Sequence, residues 1–290
     1  KWHHGHNGSI VNGIPRIGFM KGGNKAKWKD EDMADTFLNK AKKYVNKSKN
    51  NPFFLFYSLQ QPHVPRTPNP RFVGKSQMGP RGDAIIEADW CIGELYKTLE
   101  ENKLLENTLI IFSSDNGPVL NDGYFDNAVE MLGEHTPSGE LRGGKYSLFE
   151  AGTRVPFIAY WTDKIKAGIS DQIFSQIDLF NSISKMIYSA FRTKDGKDLA
   201  NLILNNSGKG RSELVLEAMG KTAYRNEEWV MIPPYKGRKI AKNVQIELGN
   251  SNEYMLFNLD KDPHQRNNLA TKNPEKLNFM ISNFNEIKNF

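Results

Sequence analysis

The spacing of apolar positions changes several times along the chain, and each change predicts an element. From Asp30 to Ser48, Met33, Phe37, Ala41 and Val45 recur at helical intervals. Acids open this stretch and lysines close it, which suits the helix dipole, so a helix is expected here. Phe53 to Leu59 is instead a short unbroken apolar run, read as a buried strand leaving into a proline-bounded loop. Arg81 to Leu105 returns to helical period, with Ile85, Ile86, Asp89, Ile92, Leu95 and Leu99 along it. A second strand is expected from Asn107 into Ser113, then a long polar loop from Gly117 to Gly144. A third strand covers Thr153 to Trp161 and a third helix Asp171 to Phe191.

Strands alternating with long helices argue for an α/β fold with a mostly parallel sheet covered on both faces. After Ser207 the texture shifts to short alternating stretches, "SELVLEAM", "EWVMIPP" and "YMLFNLD", followed by a helical "NPEKLNFMISNFNEI". These predict a small antiparallel sheet plus a terminal helix. The expected division is therefore residues 1–206 and residues 207–290. The segment up to Gly23 is rich in Gly and His without a period and reads as loop.

Composition narrows the function classes. A chain of 290 residues can bury a sizeable core, and its net charge of +6 is spread rather than blocked. The lysine-rich stretches Lys40–Lys49 and Lys236–Lys242 carry no recognition motif or interleaved aromatics, so they read as solvated surface and no nucleic-acid partner is expected. A mild basic excess is compatible with an anionic substrate. The single cysteine, Cys91, excludes an intrachain disulfide. No run approaches the roughly 18 apolar residues of a membrane span. The chain opens on Lys1 rather than Met, which reads as a fragment.

Three groups leave expected strands on Gly- or Pro-rich loops, where open α/β sheets bind ligands. In "IIFSSDNGP", Asp115 and Asn116 are either an Asn-Gly turn or a pair of hard oxygens for Ca²⁺ or Mg²⁺. His63 in "QQPHVPRTP" is either an exposed loop histidine or a catalytic one. Lys145 follows two glycines that let backbone approach a ligand closely, yet by itself it is equally an ordinary surface lysine.

Taken together, "SSDNGP" and "LRGGKYSLFEAGTRVPFIAYW" resemble the sulfatases that use a formylglycine nucleophile, within the alkaline-phosphatase-like superfamily. "FFLFYSLQQPHVP" resembles that family's strand ending in a Pro-His pair, and "ADWCIGELYKTLEENKLLENTLIIFSSDNG" its helix–strand unit. "YMLFNLDKDPHQRNNLA" is similar to its C-terminal signature, with His264 and Arg266 near where an acid is usual. The resemblance implies an alkaline-phosphatase-like α/β catalytic domain in residues 1–206 and a small C-terminal subdomain in 207–290. It implies sulfate-ester hydrolysis on a carbohydrate, with Asp115 and Asn116 as ligands of a divalent cation, usually Ca²⁺. Lys145 would bind a sulfate oxygen, and His63 would contact the ester oxygen and protonate the leaving alcohol. It also implies export to the periplasm or the exterior.

The family's Cys/Ser-x-Pro-x-Arg motif and its opening pair of metal-binding aspartates occur nowhere in the chain. Truncation is the expected reason: the missing N-terminal part of the domain would be a partner of this chain, which alone would be inactive. Cys91, inside a helix, is not the formylglycine precursor. "KWHHG" matches a catalytic Lys-Trp-His element of the family, but its surroundings look more like a later insertion, so Lys1 and His3 are set aside. Tyr124 and His135 are candidate sugar contacts, or they merely pack their loop. "RGD" at Arg81–Asp83 enters a helix and is structural. The rival readings are a phosphate mono- or diester hydrolase of the same superfamily and a non-catalytic binder of sulfated glycan.

Overall fold

A computed structural model describes residues 10–11, 14–15 and 29–288. The chain forms two compact units: Lys1–Asn107 with Leu120–Thr136, and Thr108–Val119 with Pro137–Phe290.

In the first unit, β1 (Ile10–Val11) and β2 (Ile14–Pro15) pair antiparallel, inside the stretch read from sequence as loop. Helix α1 (Met33–Ser48) buries Ala34, Leu38, Ala41 and Val45. This is not quite the expected stripe: Phe37 is exposed, and the row beginning at Ala34 faces inward. Both rows have helical spacing, and contact with Cys91 of α2 (Gly79–Glu101) decides between them. Helix α2 begins two residues earlier than expected because the chain is turned before Arg81. Asp83 accepts the Gly74 and Ser76 backbone N–H groups, both at 2.8 Å, which fixes the approach.

The expected strand Phe53–Leu59 forms no ladder among the described residues. Tyr57 and Leu59 pack against the cluster of Ala34, Leu38 and Cys91, whereas Phe54 and Phe56 are exposed. Only one face of the run is covered here, which the continuous apolar pattern did not foretell.

In the second unit, β3 (Ile110–Ser113) pairs with β4 (Phe157–Tyr160). The pairing is antiparallel, with Ile110 opposite Tyr160 and Ser113 opposite Phe157, where parallel neighbours were expected. Parallel pairing needs a crossover, commonly a helix. The chain between these strands forms only turns and a short 3-10 segment at Glu150–Gly152.

The helix expected from Asp171 starts only at Asp178, as α3 (Asp178–Met186), and is followed by α4 (Ala200–Asn205). The preceding residues are drawn off into other bonds: Ile173 C=O accepts Arg211 N–H at 2.8 Å, and Gln172 accepts Gly210 N–H at 2.9 Å. Asp178, wholly buried, then receives the Arg211 guanidinium at 2.6 Å and the Ser175 N–H at 3.0 Å.

The small C-terminal sheet is present as expected. It comprises β5 (Glu213–Ala218), β6 (Lys221–Asn226), β7 (Trp229–Ile232) and β10 (Met255–Asn258), with a separate pair β8 (Ile240–Ala241) and β9 (Ile246–Glu247). The order is β10–β7–β6–β5, antiparallel throughout. Strand β6, "KTAYRN", escaped the sequence reading because only its central Ala223 and Tyr224 are buried.

Alternation gives this sheet two apolar faces. Tyr224, Met231 and Leu256 meet Met280 and Phe284 of α5 (Pro274–Lys288). Ala223, Val230, Ile232 and Phe257 meet Leu148 and Phe149, which belong to the loop carrying Lys145. The rings of Phe149 and Phe257 lie 6.0 Å apart, edge to face.

Phe257→Ala should therefore lower unfolding stability by about 3–5 kcal/mol, the cost of emptying a buried aromatic site. Phe279→Ala, on the exposed side of α5, should stay within about 1 kcal/mol of the parent. Urea unfolding of both variants checks this; equal losses would show that the sheet is not packed as described.

Candidate functional site

Strand β3 ends at Ser113, and the chain is turned at once. Asp115 accepts the Asn116 backbone N–H at 3.1 Å, and Ser114 Oγ donates to the Asn116 carbonyl at 3.2 Å. Asn116 Nδ2 donates to the Gly117 carbonyl at 2.9 Å, which leaves the amide oxygen as its acceptor. Gln176 braces the strand end by donating to Ser114 C=O at 2.6 Å and to Ser113 Oγ at 2.9 Å. The turn and ligand readings of Asp115–Asn116 are thus compatible: the backbone makes the turn, and two hard side-chain oxygens stand on it.

The Lys145 loop is bonded to this turn from two sides. Gly117 N–H donates to Gly152 C=O at 2.9 Å, and Lys145 N–H donates to Pro118 C=O at 3.0 Å. Approach is so close that a Cβ on Gly117 would stand 1.6 Å from the Ala151 carbonyl oxygen. The second unit therefore brings together three of the four principal candidates, Asp115, Asn116 and Lys145. The Lys145 ammonium lies 5.0 Å from the centre of the Tyr146 ring, a cation–π contact. Tyr146 holds φ at 77°, a left-handed conformation costly for a non-glycine residue and concentrated at functional sites. Sequence reasoning missed Tyr146, because nothing in "GGKYS" marks a strained tyrosine.

Gln265 was missed too. It occupies the position where the C-terminal signature carries an acid, and it is wholly buried. Its side-chain oxygen accepts the Glu150 N–H at 2.8 Å, and its carbonyl accepts Arg142 at 2.5 Å. The sequence reading looked to its neighbours instead. His264 Nδ1 donates to Glu140 C=O at 2.6 Å, on the surface.

His63 lies in the first unit. Its Nδ1 must carry the proton, because it donates to the Val64 carbonyl at 2.6 Å. Nε2 is then the nitrogen that can accept a proton and later release it. Arg66 holds the same loop. Its Nε donates to Pro62 C=O at 2.9 Å, while its Nη1 meets both Asp126 oxygens at 3.1 and 2.8 Å, all but buried. His63, Gln61, Arg66 and Glu87 line a cavity of about 20 Å³, room for roughly one water. Burial pushes the Glu87 carboxyl up, opposed by hydrogen bonds from Asn69 and Gln61.

Tyr124 and His135 also lie in the first unit. Tyr124 is half-buried and its phenol is pushed up by burial and by Asp30, whereas His135 is exposed. Lys1 and His3 fall outside the described residues. Among the described residues no cluster of three or more His, Cys, Asp or Glu side chains could enclose a metal ion, so Asp115 and Asn116 stand as two oxygen donors of the right kind. No helix among them is long and apolar enough to cross a membrane.

Comparison with known proteins shows the family of the chain. The sulfatase family profile matches residues 7–187. An N-acetylgalactosamine-6-O-sulfatase of Bacteroides thetaiotaomicron is 46% identical over 275 residues, covering 93% of this chain and 54% of that protein. A solved structure from work on the metabolism of multiple glycosaminoglycans by the same organism superposes with a TM-score of 0.92 at 43% identity, over 97% of this chain and 60% of that one. A Vibrio parahaemolyticus protein of the alkaline phosphatase superfamily shares the fold at a TM-score of 0.52 and 15% identity, over 80% of this chain and 48% of that one. The chain thus spans about half the length of the curated relative it matches. It belongs to the sulfatase family, on an alkaline-phosphatase-like α/β fold.

Proposed function

We infer that the protein carrying this chain hydrolyses a sulfate monoester on a carbohydrate. One observation supports this above the rest: Lys145, on its two-glycine loop, is bonded through its own N–H to the turn that bears Asp115 and Asn116. A sulfate ester needs fixed positive charge at its oxygens, and a preorganised ammonium supplies it without reorganisation. Asp115 and Asn116 would hold a divalent cation, Ca²⁺ or Mg²⁺, which when bound neutralises further charge on the sulfate. His63, with Nδ1 fixed on Val64, would hold a proton at Nε2 and pass it to the departing sugar oxygen. His135 is proposed as an outer sugar contact because it is exposed on the same long loop as Tyr124.

No Cys/Ser-x-Pro-x-Arg motif occurs in the 290 residues, so the nucleophile, a formylglycine, and the reaction are proposed for the longer protein. Kinship with an N-acetylgalactosamine-6-O-sulfatase makes that sulfated amino sugar the first substrate to test. A periplasmic or secreted address is proposed with it, on the family resemblance alone.

The roles separate by leaving group. Lys145→Ala in the full-length protein should lower kcat/KM by about 10²-fold or more on sugar and nitrophenyl sulfates alike. His63→Ala should harm the sugar sulfate far more, because nitrophenolate leaves without a proton. Equal losses on both substrates for His63→Ala would remove its acid role.

A second expectation concerns the contact of the two loops. Gly117→Ala should abolish turnover of both substrates, since its Cβ would drive the turn from Ala151. Gly93→Ala, inside α2 with nothing within 4 Å of the added Cβ, should keep full activity. It should also raise stability by ~0.5–1 kcal/mol. Kinetics with a parallel urea titration decides both.

A further inference from the structure

Glu87 is a carboxylate with no obvious task. It sits on α2, far from either end of that helix, and is 2% exposed. Burying a carboxylate is costly unless strong donors meet it. Both of its oxygens are met, and both donors come from the loop that carries His63. Oε2 accepts Gln61 Nε2–H at 2.8 Å, and Oε1 accepts the Asn69 backbone N–H at 2.9 Å.

Residues 61 and 69 are the two ends of that loop, so one side chain on a long helix fastens both. Within the loop, His63 N–H donates to Gln60 C=O at 3.0 Å, and the ring is fixed on Val64 C=O. The imidazole has its orientation from the loop backbone, and the loop has its position from α2 through Glu87. Arg66 adds an internal brace at Pro62.

We propose that Glu87 is a positioning residue for His63. Its two hydrogen bonds hold the 61–69 loop, and with it the orientation of the His63 ring on which a proton-donating Nε2 depends. The inference rests on the acid role argued for His63 above. Glu87 itself touches neither substrate nor the reacting atoms. Gln61 and Asn69 are the points through which it acts.

The chemistry of the pair offers a test that simple destabilisation does not reproduce. Glu87→Leu removes both acceptors and frees the two ends of the loop. Exchanging the pair, Glu87→Gln with Gln61→Glu, keeps a donor facing an acceptor at both ends. Each variant is made in the full-length protein, and kcat/KM is measured on a sugar sulfate and on nitrophenyl sulfate, alongside Tm.

Misplacing an acid by about 1 Å can cost 10²-fold, so Glu87→Leu should lower the sugar sulfate rate by about 10- to 100-fold. The aryl rate should fall much less, as for His63→Ala. The exchanged pair should recover most of the sugar sulfate activity. Leu99→Ala, which opens the buried side of α2 without touching the loop, should lower Tm and leave the ratio of the two rates unchanged.

If Glu87→Leu lowers both rates together with Tm and leaves their ratio intact, Glu87 is a structural residue and the proposal fails. If it does not fold, Gln61→Ala decides, since it removes only the loop tie: a shifted ratio supports the proposal, and an unshifted one overturns it. If His63→Ala leaves the ratio unshifted, it is the acid role that fails, a result separate from any of these.

Discussion

The guanidinium of Arg142 is the fastening on which the lysine loop depends. Its Nε meets the Glu247 carboxylate on β9, its Nη1 meets the Gln265 carbonyl at 2.5 Å, and its plane lies 3.9 Å from the centre of the Phe149 ring. Its own carbonyl accepts the Ala151 N–H at 3.0 Å, closing the loop on itself. Ser147 Oγ donates to the Glu247 carbonyl at 2.5 Å, and Leu148 N–H to Leu248 C=O at 3.2 Å. The segment between the two glycines and Gly152 is therefore built onto the C-terminal strands rather than left on the surface. The hydrogen bond from Arg142 holds the Glu247 carboxyl below the usual carboxylate range. A lowered carboxylate pKa gives stability that is complete at neutral pH and is lost as pH falls through the folded value. Because the pair is partly exposed, its worth lies in aiming the loop more than in stability.

This fastening explains why a small antiparallel sheet accompanies the lysine loop at all. One face of the sheet is closed by α5. The other would expose Val230, Ile232 and Phe257 if Leu148 and Phe149 did not cover them. Hydrophobic burial thus draws the loop down, and the polar contacts of Arg142, Ser147 and Gln265 fix its register. Glu150, 2% exposed, is met by Arg225 of β6 at 3.2 Å, which ties the far end of the loop to the same sheet. With both ends held, Tyr146 can be kept at a positive φ, and the lysine beside it is pointed by backbone rather than by its own flexible stem.

Much of this was legible from residue types and spacing. The short apolar stretches after Ser207 made the C-terminal sheet legible, because β7 and β10 each bury three successive residues between its two covered faces. "SSDNGP" and "RGGKYSLFEAG" drew attention to two loops that the structure bonds together, because their closely approached backbone demands glycine. What stayed hidden depends on partners distant in sequence. The direction of β3 against β4 follows from a connection without a crossover helix, which apolar spacing does not report. The inward row of α1 was decided by Cys91, and the late start of α3 by Arg211 and Gly210. Gln265 and Glu87 look like ordinary polar residues until burial shows what they hold.

The two fastenings follow one physical rule. In the roles proposed for them, Lys145 and His63 are long or rotatable side chains that would lose much of their value if free to wander, since transition-state charge is stabilised by groups already in place. Each therefore sits on a loop whose backbone polar groups are taken up locally. The lysine loop is taken up by Arg142, Gln265 and Glu247, the histidine loop by Glu87 and the Arg66–Asp126 pair. In both cases a charged side chain, partly exposed at Arg142 and buried at Glu87 and Arg66, bonds to backbone rather than only to an opposite charge. A charge so placed cannot be exchanged for an apolar residue of similar size without releasing the peptide groups it holds. Buried Glu87 and Arg66 are thus better understood by which peptide groups they immobilise than by the stability they add.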